Sequence, residues 1–345
     1  MWPYWLMFLV PVWGVLQPRR LPARQAYWVW VAVGVLFAAM MGLRHEVGGD
    51  WFNYLPHFLD TQRQTLPEVL MRSDPGYYLL NWWVGRLGAD IYLVNLLCAM
   101  VLMWGTVVFC RSQPQPWLAL LAAVPYMLIV VGMGYTRQSV ALGFALLGLT
   151  ALGRGKPRSF IVWIAVAALF HKSAVLLMPI AALAATRNRI LTGVLVTIAT
   201  ALTYYLLLAD RAEALWVNYV EAQYQSQGGA IRVAMNAVPA LLLIAFGRRL
   251  APERQERRLW LWMAAFALMC VPLVGLASTA VDRVALYLIP LQLFVFSRLP
   301  RLTGSTRART LLVLAIAAYY AAVLFVWLHF ASHAQYWLPY QWMAP

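Results

Sequence analysis

Residues 91–110 read IYLVNLLCAMVLMWGTVVFC, a run of twenty residues without a charged side chain. As an α-helix this run would rise about 30 Å, which is the thickness of the hydrocarbon core of a bilayer. Only a helix satisfies every backbone N–H and C=O group there, because lipid offers no hydrogen-bond partners. The run is therefore predicted to be a transmembrane helix, and it sets the fold class expected of the whole chain.

The rest of the chain has the same character. Its 345 residues are 63% hydrophobic and 11% charged, whereas a soluble domain carries about 25% charged residues. We therefore predict an all-α, polytopic integral membrane protein, in which residues 1–345 form a single multi-span domain. About twelve membrane segments are predicted, some of them short, re-entrant or half-crossing: 2–16, 26–43, 91–110, 117–136, 140–153, 160–170, 174–185, 190–208, 231–246, 259–277, 284–297 and 310–330.

The basic residues lie mainly in the short turns between these segments. With the N-terminus outside, 18 of the 27 Lys and Arg residues fall in cytoplasmic turns, and of the 12 acidic residues only Glu253 and Glu256 do. Cytoplasmic loops carry this excess of cations, so both chain termini are predicted outside. The net charge of +15 then reflects topology, not nucleic acid binding. Arg19, Arg20 and Arg24 follow the first apolar run, an order that argues against a cleavable signal peptide.

Two outer loops, at about 44–75 and 209–230, are long enough to hold short helices of their own. In the first, Thr65 and Glu68 have capping-box spacing, which predicts a short interfacial helix. Asp74 and Pro75 are suited to the N-cap and first position of a second helix, which ends near 88 and is too short to cross. The second loop has apolar and aromatic residues on one face, so a further interfacial helix is predicted there.

Ionisable residues near the outer ends of the apolar segments are the candidates for a functional site, because charge is costly at that depth unless a cavity hydrates it. Three arginines, a lysine and a histidine at one depth predict a single anion-binding pocket, since guanidinium groups suit phosphate oxygens. Each residue also has a structural interpretation, as an arginine that extends to the headgroups, an interfacial histidine or a local ion pair. The residues are Arg44, His45, Glu46, Asp50, Arg137, His171, Lys172, Asp282 and Arg283.

Motifs that bind metals or nucleotides are absent from the sequence. It has no glycine-rich P-loop, no Asp-x-Asp, no His-Glu-x-x-His and no Gly-x-Ser-x-Gly. Cys98, Cys110 and Cys270 lie inside apolar runs and lack metal-ligand spacing. Neither a metal nor a cofactor is therefore expected, and any phosphate chemistry would depend on cationic side chains.

Together these residues resemble the EpsG-like branch of the Wzy-type polysaccharide polymerases. The resemblance lies in the run GLR…GGD…Y that ends at Tyr54, in TRQS at 136–139, in HKSA at 171–174 and in the late Asp282-Arg283. It covers about residues 40 to 290, in the same order and at similar depth. Glu46 beside His45 departs from the family's pattern, which leaves the identity of the base open.

The resemblance implies a metal-independent membrane glycosyltransferase, similar to the GT-C class. Such an enzyme moves a growing glycan from polyprenyl (undecaprenyl) diphosphate to the sugar of the next lipid-linked repeat unit. The reaction takes place at the outer face of the bacterial cytoplasmic (inner) membrane and produces exopolysaccharide or O-antigen. The expected partners are the lipid-linked oligosaccharides, membrane lipid and a protein that regulates chain length.

The sequence offers candidates for each role in that reaction. Arginines can stabilise a departing diphosphate, so no strong general acid is needed. The acceptor hydroxyl needs a general base, and an imidazole titrates near neutral pH, so His171 is favoured over Asp50, Glu46 and His45. The residues predicted to bind diphosphate or sugar are Arg44, Arg137, Gln138, Lys172, Arg283 and Tyr54, and those predicted to be catalytic are His171 and Asp50.

Two other classes of protein remain as alternatives. A multi-span O-acyltransferase would also use a histidine at the outer face or within the membrane. A lipid-linked oligosaccharide flippase or other transporter would need charges along the bilayer midplane. The predicted segments are largely free of charge between their ends, which favours an enzyme. An O-antigen ligase shares the chemistry of a polymerase, and the sequence does not separate the two.

Overall fold

The computed structural model describes residues 1–17, 21–184, 189–207 and 228–343. Within these ranges the regular structure is helical, and the nearest approach to a sheet is an isolated antiparallel bridge between Arg44 and Trp342. The prediction of an all-α protein is confirmed. The predicted outer loop at 209–230 lies almost entirely outside the described residues, so its interfacial helix stays a prediction.

The described helices follow the predicted apolar segments. Those of the N-terminal half are α1 (Trp2–Leu16), α2 (Ala23–Gly42), α3 (Trp51–Gln62), α4 (Leu66–Leu70), α5 (Pro75–Arg86), α6 (Ile91–Arg111), α7 (Pro116–Gly134) and α8 (Thr136–Gly153). Those of the C-terminal half are α9 (Pro157–Phe170), α10 (Met178–Ala184), α11 (Arg189–Leu207), α12 (Gly229–Leu250), α13 (Arg254–Leu273), α14 (Ser278–Leu286), α15 (Pro290–Phe296) and α16 (Thr306–Phe330). A 3-10 turn, Lys172–Leu177, joins α9 to α10.

Among the described residues, five helices are long and apolar enough to cross a membrane, namely α2, α6, α7, α12 and α16. A sixth crossing results if α14 and Pro290–Leu302, which meet at a bend of 50°, form one broken span. The prediction of about twelve crossings is therefore not confirmed. Helices α1 and α9 have 15 and 14 residues, short of the roughly 20 that the hydrocarbon core requires. Helices α8 and α13 begin with charged or polar turns.

Helix α7 lies at the centre of the bundle, where almost every one of its residues is buried. Its middle, Val124–Val131, is wound as a π-helix, a form found frequently at functional sites. The helix ends at Gly134, and after the single non-helical residue Tyr135 the chain begins α8. This break brings Tyr135, Arg137 and Gln138 to the wall of one cavity.

The first outer loop contains a helix that the sequence analysis missed. Helix α3 buries Trp51, Tyr54 and Phe58 on one face, which is the spacing of an amphipathic helix. Pro56 lies inside this helix, and a proline in a helix interior argues against a helix when only the sequence is known. The loop is therefore more ordered than the predicted short interfacial helix suggested.

The two predicted helix starts in this loop are present. The Glu68 carboxylate accepts hydrogen bonds from the backbone N–H of Thr65 (2.7 Å) and from its hydroxyl (2.8 Å). Asp74 and Pro75 occupy the N-cap and first position of α5, but the Asp74 side chain makes no capping hydrogen bond. It pairs with Arg137 instead, so this carboxylate belongs to the functional site.

Close backbone contacts hold the outer loop against the end of α7. Gly48 has a φ of +108°, and a Cβ atom there would lie 2.1 Å from the carbonyl oxygen of Met133. Only glycine fits such a place. On its other side, the Gly48 N–H donates to the carbonyl oxygen of Tyr336, at 2.7 Å. The turn before Asp50 is thus fixed between α7 and the C-terminal chain.

Candidate functional site

A cavity of about 190 Å³ opens where the outer loop, the α7–α8 break and two later segments meet. Six of the eight site residues predicted from sequence line it, and the exceptions are Arg44 and Lys172. The cavity is lined by Asp50, Asn53, Tyr54, His57, Tyr135, Arg137, Gln138, His171 and Arg283.

Arg44 lies behind the cavity wall. It is 1% exposed, and its guanidinium group is hydrogen bonded inside the protein. Nε donates to the carbonyl oxygen of Val47 (2.8 Å), Nη1 to that of Met41, and Nη2 to Thr136 Oγ1 (3.1 Å). Burial lowers the pKa of Arg44 to about 10, so it stays charged at neutral pH. Arg44 therefore joins the end of α2 to the start of α8, one residue before Arg137.

Arg137 is held at the cavity by a buried carboxylate. Its Nη1 donates to Asp74 Oδ2 at 2.8 Å, and the two side chains are 29% and 6% exposed. Its guanidinium carbon lies 5.8 Å from the ring centroid of Tyr54, a cation–π contact. Burial raises the pKa of Asp74, and the positive charges of Arg137 and Lys172 oppose that shift. Lys172 thus acts on Asp74, behind the arginine that faces the cavity.

Arg283 faces the cavity with no carboxylate of the described residues within ion-pair distance. Its Nη1 donates to Gln138 Oε1 at 3.4 Å, Gln138 Nε2 donates to the Arg283 carbonyl oxygen at 2.8 Å, and the Tyr135 ring centroid lies 5.2 Å from its guanidinium carbon. The neighbouring carboxylate is engaged elsewhere, because Asp282 accepts from Nε (2.5 Å) and Nη2 (2.6 Å) of Arg232. The charge of Arg283 is therefore directed to the cavity.

His171 lies between α9 and the following 3-10 turn, where the backbone is extended. Its Nδ1 is 2.6 Å from Ser173 Oγ. Burial is the main cause that lowers the pKa of His171, to about 3, and the charges of Arg283, Arg137 and Lys172 add to it. The imidazole is therefore neutral at physiological pH, with one ring nitrogen that can accept a proton.

Asp50 lies on the α3 wall of the cavity, at the N-cap position of that helix. The Tyr54 hydroxyl donates to its Oδ2 at 3.5 Å. Burial raises the pKa of Asp50, and the charges of Arg283 and Arg137 oppose the shift. A raised pKa makes a carboxylate a better proton acceptor, so Asp50 stays a candidate base.

The other two candidate bases, His45 and Glu46, are not among the residues that line the cavity. His45 Nδ1 lies 2.5 Å from the hydroxyl oxygen of Tyr92. Glu46 has a φ of +50°, in the left-handed region that few non-glycine residues adopt. Its side chain is 48% exposed. The choice of base therefore lies between His171 and Asp50.

Three cavity residues were not predicted, namely Asn53, His57 and Tyr135. Asn53 and His57 follow Asp50 by three and seven residues, so one face of α3 carries all three side chains. Recognition of α3 as a helix would have revealed them. Burial and the charge of Arg137 lower the pKa of His57, so it is neutral at physiological pH. Tyr135 occupies a helix break, which hydrophobic periodicity does not reveal.

The chemistry of these side chains suits an anion and a hydroxyl compound. Arg137 and Arg283 can bind an anion, and His171 or Asp50 can accept a proton. Within the described residues there is no group of three or more His, Cys, Asp or Glu side chains placed to hold a metal ion. The cationic residues are therefore the groups that we assign to anion binding.

Fold and site together define a class, the multi-pass membrane proteins with a polar, arginine-lined cavity. Comparison with known families goes further, because the EpsG family matches residues 27–342. The chain belongs to the EpsG family, a family of Wzy-like polymerases. The resemblance seen in four short motifs is thus confirmed over nearly the whole chain. No curated protein and no solved structure matches it.

Proposed function

We propose that the protein is a membrane glycosyltransferase that joins polyprenyl-diphosphate-linked repeat units at the outer face of the bacterial cytoplasmic membrane. The observation that carries the proposal is the cavity, in which Arg137 and Arg283 share one space with His171 and Asp50. Membership of a family of Wzy-like polymerases supports the same reaction class. A GT-C-like architecture, undecaprenyl as the lipid and a chain-length regulator as a partner are further parts of the proposal.

In the proposed reaction the acceptor hydroxyl oxygen forms a bond to the anomeric carbon of the donor glycan. The bond between that carbon and the diphosphate oxygen breaks, and polyprenyl diphosphate leaves with the electron pair. Arg137 and Arg283 stabilise the negative charge that develops on the leaving group. The proton of the acceptor hydroxyl passes to the base. A stabilised diphosphate leaves readily, so the reaction needs no strong general acid.

We assign the base to His171. In the free protein its pKa of about 3 makes the imidazole neutral but weakly basic. A bound diphosphate would compensate the charges of Arg283 and Arg137, two of the causes that lower this pKa. The pKa of His171 would then rise towards the range that suits proton transfer at neutral pH. Asp50 is the alternative base, and we assign it to orienting the acceptor hydroxyl.

The remaining predicted site residues receive roles that follow from their contacts. Arg44 is assigned a positioning role, because its hydrogen bonds lie inside the wall and connect to Thr136, beside Arg137. Lys172 is assigned to balance the charge of Asp74, which holds Arg137. Gln138 orients Arg283 through hydrogen bonds in both directions. Tyr54 stays the predicted sugar contact.

The grouping of the cations supports an enzyme over a transporter. A flippase would place charged groups along a path through the bilayer, whereas Arg137 and Arg283 line one cavity together with both candidate bases. Orientation is part of the proposal too, with both chain termini outside, as the distribution of basic residues indicates. That orientation places the cavity on the side where the lipid-linked repeat units are joined.

Polymer formation by the purified protein tests the proposal. The protein is incubated in detergent with a single lipid-linked repeat unit, and the products are separated by size. We expect a ladder of lipid-linked oligomers, release of polyprenyl diphosphate, and no loss of rate when EDTA is added. Acyl transfer, transport without elongation in proteoliposomes, or transfer only to an acceptor other than a repeat unit would refute a polymerase and identify an acyltransferase, a flippase or a ligase.

A further inference from the structure

Ser173 and Tyr287 form a chain of hydrogen bonds that ends at the ring of His171. Ser173 Oγ lies 2.6 Å from His171 Nδ1 and 3.4 Å from the hydroxyl oxygen of Tyr287. Tyr287 is 1% exposed and follows α14 directly, 114 residues after Ser173. Ser173 is the one described residue that hydrogen bonds the ring of His171. The orientation of the imidazole thus depends on a residue that lines no part of the cavity.

The direction of this chain decides which ring nitrogen can act as a base. A serine hydroxyl has a single proton, so it donates to one partner only. If Ser173 donates to Tyr287, its oxygen accepts from Nδ1–H of His171, and Nε2 keeps a lone pair. If Tyr287 donates to Ser173 instead, Ser173 donates to Nδ1, and Nε2 carries the proton. Only the first arrangement leaves a proton acceptor on the ring edge that Ser173 does not occupy.

The charges around His171 favour the first arrangement. Arg283 from α14, Arg137 from α8 and the adjacent Lys172 are the cations that act on the ring, and Asp50 lines the same cavity from α3. In a neutral imidazole the unprotonated nitrogen is the negative end of the dipole. Positive charge on the cavity side therefore favours an unprotonated Nε2 there and a protonated Nδ1 at Ser173.

We infer that Ser173 and Tyr287 are positioning residues, which hold His171 as the Nδ1–H tautomer and leave Nε2 to accept the proton of the acceptor hydroxyl. The inference rests on the proposed function, in which His171 is the base. During the step the acceptor O–H bond breaks, an Nε2–H bond forms, and the imidazolium keeps its Nδ1–H bond to Ser173 Oγ. Tautomer control of this kind matters in catalysis, since the wrong tautomer costs a serine protease about 10⁴-fold in kcat.

The tautomer can be measured without any turnover. The protein is labelled with ¹⁵N-histidine, and ring nitrogens with and without a proton are separated by their NMR shifts. The chain has five histidines, and the signals that His171→Gln removes belong to His171. We expect a protonated Nδ1 and an unprotonated Nε2. A parent spectrum with the proton on Nε2 would overturn the inference, whatever the variants show.

Two substitutions test the chain itself. Tyr287→Phe removes the acceptor of the Ser173 hydroxyl, which then turns to Nδ1, so the proton of His171 should move to Nε2. Ser173→Ala should leave a mixture of both tautomers. Ser297→Ala is the matched control, because Ser297 is buried and hydrogen bonds only a local carbonyl group, that of Phe294. An unchanged His171 tautomer in folded Tyr287→Phe would contradict the inference.

Polymerisation by the same variants separates a positioning role from a structural one. We expect Ser173→Ala and Tyr287→Phe to lower kcat at least tenfold with little change in KM, Ser173→Thr to restore most of the rate, and Ser297→Ala to match the parent. If the parent makes no polymer yet shows the expected tautomer, the proposed function fails and the tautomer assignment stands. Unchanged kcat in both variants, with an active parent, would overturn the positioning role.

Discussion

Substitution of Arg137 by lysine is the sharpest test of the anion-binding role. Arg137 uses Nη1 for Asp74 at 2.8 Å, which leaves its other guanidinium nitrogens for the diphosphate. Lysine keeps the charge but has one nitrogen at the end of its side chain, so it cannot hold both partners in a planar arrangement. We expect Arg137→Lys to fold and to retain the ion pair with Asp74, because that carboxylate is buried. The lost contact is then the one to substrate.

The size of the effect follows from the kind of contact that is lost. A hydrogen bond between a charged donor and acceptor contributes about 1.5–3 kcal/mol, and about 1.4 kcal/mol corresponds to a tenfold change in rate. Arg137→Lys should therefore lower kcat/KM about 10- to 150-fold. Because diphosphate charge increases as the leaving group departs, most of this loss should appear in kcat.

Initial rates of chain elongation with a purified lipid-linked repeat unit measure this effect. Arg72→Lys is the matched control, since Arg72 pairs with Asp60 at 2.5 Å in the same outer loop, with side chains that are 35% and 54% exposed. Exposed substitutions of this kind shift free energies by only about 0.5 kcal/mol, so less than a threefold change is expected there. Equal rates for Arg137→Lys and Arg72→Lys, at equal protein levels, would refute the assignment of Arg137 to the diphosphate.

Four further predictions follow from the cavity. Arg283→Lys should lower kcat/KM at least tenfold, because lysine cannot keep the Gln138 contact and also present two donors to a diphosphate. His171→Gln should reduce elongation by about 10²–10⁴, while Asp50→Asn keeps a measurable rate. The free-protein pKa of His171, about 3, leaves the base unprotonated above that value, so kcat/KM should stay level between about pH 5 and 8 and fall only as the pH drops further. His171→Cys should react with a membrane-impermeant thiol reagent added outside, because the native cysteines are buried or, at Cys270, nearly so.

Each of these predictions has an outcome that contradicts it. Near-normal polymer from Arg283→Lys would remove that residue from the diphosphate site. Elongation by His171→Gln at close to the parent rate, with Asp50→Asn inactive, would make Asp50 the base. A tenfold loss of kcat/KM between pH 7 and pH 5 would show that the essential base titrates near the ordinary histidine value. Labelling of His171→Cys only from the cytoplasmic side would invert the topology of this region.

The number of membrane crossings shows where prediction from sequence reaches a limit. Apolar composition locates a helix in each predicted segment, because the bilayer leaves the backbone no other structure. It does not decide whether a helix of 14 residues such as α9 crosses, since a short helix can also line a protein cavity. The bend of 50° between α14 and the following segment depends likewise on packing, which hydropathy does not report.

The ion pairs of the site show a second limit. Sequence proximity suggested that Asp282 would pair with Arg283 and that Asp74 would cap α5. In the structure Asp282 binds Arg232, 50 residues away, and Asp74 binds Arg137, 63 residues away. These pairings depend on where α5, α8 and α12 pack, so no local pattern contains them. They also explain why Arg283 directs its charge to the cavity.

The sequence by itself determined the solvent, the all-helical class, the family and most of the residues that line the cavity. These follow from local quantities, namely hydrophobic length, helix-capping residues, and short motifs whose charged side chains are costly in lipid. Only the tertiary structure decided that Arg44 supports the wall, that α3 adds His57 and Asn53 to the site, and that Tyr287 reaches His171 through Ser173. Those assignments depend on which distant segments share a low-dielectric interior, where each buried charge or hydroxyl must find a partner.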